Sequence, residues 1–160
     1  DQGYDEILNE QEFRHNLIRN FYAALSFLLE SIEKRATKGE VQRTEAWEYP
    51  VGVLREALVN LIVHRDYRQD VKSTIEVRPG FIQFYNPGQL FQPTITIERL
   101  SRLHPSRPGN KLIAKIFYLL GLFENWGGGT LKIIEESQKA SKATPAFAFE
   151  DGMFKVTLFR

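Results

Sequence analysis

The chain has 160 residues, 42% of them apolar and 26% charged, with a formal net charge of +1. That is one ordinary globular domain able to bury a core without disulfides or a structural metal, and it is neither a disordered segment nor a membrane span. Near-neutral charge argues against a domain whose main work is neutralising DNA phosphates, while the lack of cysteine excludes thiolate metal sites and suits a reducing cytoplasm.

Residues 11 to 35 set Phe13, Leu17, Phe21, Leu25, Leu28, Leu29 and Ile32 at spacings of three and four, which predicts a long amphipathic helix ended at Lys38-Gly39. Such a stripe ordinarily packs on a sheet; its other use is to pair with a second copy in a homodimer. Residues 40 to 49 alternate loosely and read as extended, and Pro50 closes them. Just beyond this proline, VGVLREALVNLIVHRD is apolar on nearly every side and predicts a core helix from 51 to about 66.

Two short strands follow, 73 to 78 and 81 to 85, joined as a hairpin at Pro79-Gly80. A short helix is expected over 96 to 103, capped by Thr94 or Thr96, before the loop HPSRPGN. Helices at 111 to 122 and 130 to 140 flank the Gly127-Gly128-Gly129 turn, with Gly121 fraying the first of them. Residues 147 to 150 and 154 to 158 form a closing hairpin turned at Asp151-Gly152. The whole reads as a single α+β domain of two layers: residues 1–48 pack on a core of 50–140, and 146–160 close it. Because the chain begins at Asp1 and Met153 is its only methionine, it reads as a piece of a longer protein.

Within the apolar helix, Glu56 and Asn60 lie one turn apart on the same face. Burying such groups unpaired costs roughly 1 to 3 kcal/mol, so something polar must meet them. The pattern fits a satisfied structural pair or a water-facing edge. It equally fits a site where Asn60 offers its carbonyl oxygen to Mg²⁺ and Glu56 orients or deprotonates a water. His64 and Arg65 close the helix as cations near unpaired carbonyls, and Asp66 takes no role from the pattern. Tyr85-Asn86-Pro87-Gly88 is a strand end and a turn. Gly127-Gly128-Gly129-Thr130, directly before a helix, either brings bare backbone amides to a phosphate or serves as a hinge.

The order of these fragments resembles the N-box and the two glycine boxes of GHKL ATPases, the fold of gyrase B and histidine kinases. REALVNLIVHRDY, IQFYNPGQL, HPSRPGNKLIAKIFYLLGL and ENWGGGTLKIIEE are more closely similar to the RecG-like C-terminal ATPase region of transcriptional regulators that carry a Schlafen/AlbA-type DNA-binding domain; the likeness spans residues 50 to 140. It implies a two-layer sandwich of the Bergerat (GHKL/HATPase) type, a mixed sheet with helices on one face, and ATP with Mg²⁺ as ligands. It further implies that Glu56 positions the attacking water and that Asn60 ligates Mg²⁺. By the same likeness Asn86 takes the adenine amino group with Gly88 giving room, and Gly127, Gly128, Gly129 and Thr130 form the turn that wraps the phosphates. Residues 92 to 126 would be the lid, with Arg102, His104 and Arg107 as phosphate candidates.

Two departures stand against the wider superfamily. Asn86 replaces an aspartate, and a neutral acceptor holds adenine less strongly; Gln89 or Leu90 stands where a second glycine is usual and crowds the pocket. The resemblance thus implies an ATP-binding regulatory domain, with slow hydrolysis, whose DNA contacts are made by a neighbouring domain. The alternative is a nucleic-acid or protein interaction module with a vestigial pocket, carried by the basic run Arg99, Arg102, His104, Arg107, Lys111 and Lys115. No G-x-x-x-x-G-K-[ST] loop is present, so the chain is no helicase motor by itself.

Overall fold

The computed structural model describes residues 9–36, 48–88, 96–102, 108–122 and 128–160. The extended segment expected at 40 to 49 falls outside them except for Glu48 and Tyr49, as does the loop from 103 to 107. Helix α1 spans Leu17–Ala36. It starts later than residue 11 because Asn16 is its cap: the Arg19 N–H donates to Asn16 Oδ1 at 2.9 Å and the Asn20 N–H to the Asn16 carbonyl at 2.9 Å. Phe13 therefore precedes the helix, with its ring edge-on to Phe27. Phe21, Ala24, Leu28 and Ile32 are buried and pack toward the second helix, so the apolar stripe is taken up by the chain's own core.

Helix α2, Val51–Val63, is buried at Val53, Leu54, Glu56, Ala57, Leu58, Val59 and Val63, which is why its sequence carries almost no polar face. Pro50 sits at its N-cap. It stops at Val63, three residues short of the expected end, where its free carbonyls meet side chains from elsewhere. Asn110 Nδ2 donates to Val63 O at 3.0 Å and Arg65 O at 2.7 Å, and the Tyr67 hydroxyl donates to Ile62 O at 2.9 Å.

Strands β1, Thr74–Val77, and β2, Phe81–Pro87, form the first hairpin; β3, Ala146–Glu150, and β4, Met153–Phe159, form the second. The sheet order is β1-β2-β4-β3, and all three pairings of the described strands are antiparallel. Both hairpins turn tightly, and β2 then lies beside β4, so the mixed sheet expected resolves into an antiparallel one. Asp151 at φ 52° and Gly152 at φ 76° make the second turn of the primed kind that suits strand twist. Strand β2 runs two residues beyond expectation because β4 supplies partners for Asn86 and Pro87, while β1 ends opposite Tyr85. A proline there faces no strand on its first side.

One face of the sheet carries Ile82, Phe84, Val156 and Leu158 into the core beneath the helices. The other is polar, with Gln83 Nε2 donating to Thr157 Oγ1 at 2.9 Å and the Tyr85 hydroxyl to Gln83 Oε1 at 2.6 Å. The helical layer is completed by a 3₁₀ helix at Ile97–Ser101, by α3 at Lys111–Leu119 and by α4 at Gly129–Lys139. Thr96 stands at the N-cap of the 3₁₀ helix, although its side chain does not cap it. Gly121, φ 67°, ends α3 as expected.

A last clamp fixes the start of α2. Buried Tyr49 donates its hydroxyl to Phe159 O at 2.6 Å, and Arg160 Nε donates to Glu48 Oε1 at 2.7 Å. Among the described residues no helix is long and apolar enough to cross a membrane.

Candidate functional site

Glu56 is only 6% exposed, and the Asn60 amide, one turn further along α2, donates to its Oε1 at 3.4 Å. Against this pair stands the first residue of α4. A Cβ added to Gly129 would collide with Glu56 Oε1 and lie 3.2 Å from Glu56 Cδ and 3.3 Å from Asn60 Nδ2. Bare backbone is therefore what permits the approach. Gly128, the N-cap, adopts φ 105°, a conformation side-chain-bearing residues avoid. The N-terminal end of a helix presents unpaired N–H groups and a positive partial charge, and here it meets a carboxylate.

Asn86 is 5% exposed and continues the face of β2 that holds Ile82 and Phe84. Ser73 donates its hydroxyl to Asn86 Oδ1 at 2.8 Å, which fixes how the amide is turned. Its cross-strand neighbour is Phe154, stacked on Phe147 with ring centroids 6.3 Å apart. Gly88 follows at φ 132°, and a Cβ there would lie 3.2 Å from Asp66 Cβ and 3.3 Å from Asp66 N. The Asp66 N–H donates to Pro87 O at 3.1 Å, and Gly88 N–H to Gly152 O at 3.3 Å. The Arg68 guanidinium and backbone N–H hold the Asp66 carboxyl well below the usual carboxylate range.

Asp66 thus brings the Asn86 turn to the C-terminal end of α2. Going back along that helix one meets Asn60, then Glu56, about 6 Å further at 1.5 Å per residue. Beyond Glu56 a small open depression of about 50 Å³ is lined by Gly52, Arg55, Glu56, Gly121, Leu122 and Lys132. Arg55 Nη2 donates to Gly121 O at 3.4 Å on its rim.

The family described as "Putative ATP-dependent DNA helicase recG C-terminal", a HATPase-type family, matches residues 71–158, more than half of the chain. The chain belongs to this family. The matched stretch of the RecG C-terminal family takes in the sheet except the last residue of β4, the Asn86 turn and α4, while Glu56 and Asn60 on α2 lie before it. In fold the chain is similar to the crystal structure of the DIP2311 protein from Corynebacterium diphtheriae, with TM-score 0.66 and 22% identity over 84% of this chain. It spans 27% of the length of that protein. Among curated protein sequences none matches the chain.

Of the residues read from sequence in this RecG C-terminal domain, Glu56, Asn60 and Gly129 are in contact and Gly128 adjoins them. Asn86 and Gly88 lie at the other end of α2, joined to it through Asp66. Thr130 is turned elsewhere: its hydroxyl donates to Leu100 O at 2.8 Å, tying the 3₁₀ helix to α4, so its backbone N–H is what it has left for an anion. Arg102 is exposed at the end of the 3₁₀ helix. Gly127, His104 and Arg107 fall outside the described residues.

His64 is the C-cap of α2, whereas Arg65, expected to help close the helix, donates instead to Val71 O at 2.8 Å beyond it, with its guanidinium 5.1 Å from the Tyr67 ring. Sequence reading missed Ser73, Asp66, Arg55 and Lys132. Asp66 had a legible signal in its Asp-x-Arg spacing, which permits an Asx turn; Ser73 precedes a strand and had none. No group of three or more His, Asp or Glu side chains suited to a metal ion occurs among the described residues.

Proposed function

We propose that the chain is an ATP-binding regulatory domain with slow Mg²⁺-dependent hydrolysis, working in the cytoplasm within a transcriptional regulator whose DNA contacts are made by another domain. One observation carries this reading: in a HATPase-type chain, the bare backbone opening α4 meets Glu56 and Asn60 on a helix whose far end holds the Asn86 turn. Adenine would lie beside Asn86, whose oxygen keeps a second acceptor site besides Ser73. The phosphates would run along α2 toward the N–H groups of α4.

Few protein ligands for a cation fit the way Mg²⁺ is bound with nucleotides, through one or two side chains plus phosphate oxygens and waters. Asn60 turns its amide nitrogen to Glu56, leaving its carbonyl oxygen as the atom to offer such an ion. Bound Mg²⁺ would supply charge neutralisation along the phosphates. Glu56, held beside the α4 N-terminus, would orient the attacking water and accept its proton.

Calorimetric titration with Mg²⁺-ATP tests the binding. Asn60→Ala should weaken it about tenfold or more, and equal saturable binding by both proteins would remove Asn60 from the site. Glu56→Gln should keep binding and abolish turnover; undiminished hydrolysis would defeat the role given to Glu56.

The competing reading, a nucleic-acid module with a vestigial pocket, draws support from the exposure of Arg99, Arg102, Lys111 and Lys115. It predicts DNA binding by this chain that falls steeply with salt and ignores ATP.

A further inference from the structure

The depression beside Glu56 lies on the opposite side of that carboxylate from Asn60, toward the N-terminus of α2. It is bounded by Gly52 and Arg55 on α2, by Gly121 and Leu122 after α3, and by Lys132 on α4. Two cationic side chains and one carboxylate converge there, on a floor that includes buried Leu122. Their placement is set by the same contacts that build the site. Arg55 adjoins Glu56 in sequence and reaches Gly121 O, which uses one of its five donors. Lys132 stands one turn beyond Gly129, on the same side of α4, and its N–H is fixed to Gly128 O at 2.8 Å.

Direction decides what this pair would meet. The Asn86 turn is fastened to the C-terminal end of α2 through Asp66, Asn60 comes next, Glu56 follows, and the Arg55/Lys132 depression is last. On the nucleotide reading, on which this inference rests, a base at Asn86 sends its phosphates along that series, and the last phosphate arrives beside Glu56 and over the depression. We propose that Lys132 and Arg55 form the subsite for the terminal phosphate of a nucleoside triphosphate, so that the domain distinguishes triphosphate from diphosphate. A diphosphate ends at Asn60 and the α4 N-terminus and leaves both cations untouched. Release of the terminal phosphate then changes the contacts of α4 through Lys132 and those of α3 through the Arg55 and Gly121 rim, which is how a regulatory domain would sense hydrolysis.

The test compares Mg²⁺-AMP-PNP with Mg²⁺-ADP by calorimetry on the wild-type chain and on Lys132→Met, Lys132→Arg and Arg55→Met, each checked for an unchanged thermal melt. Lys132→Met should weaken AMP-PNP about tenfold or more while ADP stays within about twofold, and Arg55→Met, on a different helix, should show the same selective loss. Lys132→Arg should retain the preference for AMP-PNP. Equal losses for both nucleotides, or AMP-PNP binding that ignores both methionine variants while ADP still binds, would overturn the subsite and leave the nucleotide reading standing. A wild-type chain that binds neither nucleotide would overturn both.

Discussion

Gly129 lies against Glu56: the first residue of α4 touches the carboxylate so closely that any side chain there would have to displace it. Two segments more than seventy residues apart in the chain meet at one point, and the freedom of glycine serves close approach there rather than flexibility.

Gly129→Ala is therefore expected to separate stability from binding. Alanine favours a helix over glycine by about 1 kcal/mol, and the nearest atom in the way is the far end of the Glu56 side chain rather than backbone, so the melting temperature should hardly change. Displacing Glu56 should nonetheless abolish hydrolysis and weaken Mg²⁺-ATP. Unchanged turnover in a folded Gly129→Ala protein would show that the contact is incidental.

Gly88→Ala should behave in the opposite way. There the obstruction is Asp66 Cβ and the Asp66 backbone nitrogen, neither of which can swing aside, and φ 132° suits glycine alone. A loss of about 1 to 3 kcal/mol in urea denaturation is expected; a value near zero would mean the two turns are less tightly joined than their hydrogen bond indicates.

Ser73→Ala removes the donor that fixes the buried Asn86 amide. Stability should fall by about 1 kcal/mol. The larger effect should be on base selectivity, since a freed amide can present either its oxygen or its nitrogen. Loss of preference for ATP over GTP in competition binding checks this, and a preserved preference would contradict it.

The Asp66 carboxyl titrates below its usual range because Arg68 and its backbone N–H favour the charged form. The unfolded chain then takes up a proton more readily than the folded one. The stabilisation is complete above about pH 4, near the unfolded value, and fades as pH falls through the lower folded value. Wild type should exceed Asp66→Asn in urea stability at pH 7, and the gap should narrow by pH 3. A gap that is constant with pH would assign the effect to packing.

The two-layer architecture was legible because it rests on periodicity: the α1 stripe, the continuous apolar run of α2 and both hairpin turns are local signals. What was not legible depended on partners distant in sequence. Asn110 caps the helix before the sheet, not its own, so α2 ended early without warning. Strand β2 reached Pro87 only because β4 lay beside it. In the site, Glu56, Asn60 and Gly129 stood out as residue types at odds with their surroundings. Thr130 was misleading because a hydroxyl after a glycine turn fits a phosphate and the Leu100 carbonyl equally well. Lys132 and Arg55 read as ordinary charges on amphipathic helices, and only the depression they share marks them.

On the nucleotide reading one ligand spans α2 from the Asn86 turn to the opening of α4. A crystal structure with Mg²⁺ and AMP-PNP measures this directly. The base should lie against Asn86, the ion on Asn60 and the terminal phosphate between Glu56 and Lys132. Analogue bound on another face, or a site closed by side chains at saturating ligand, would contradict it.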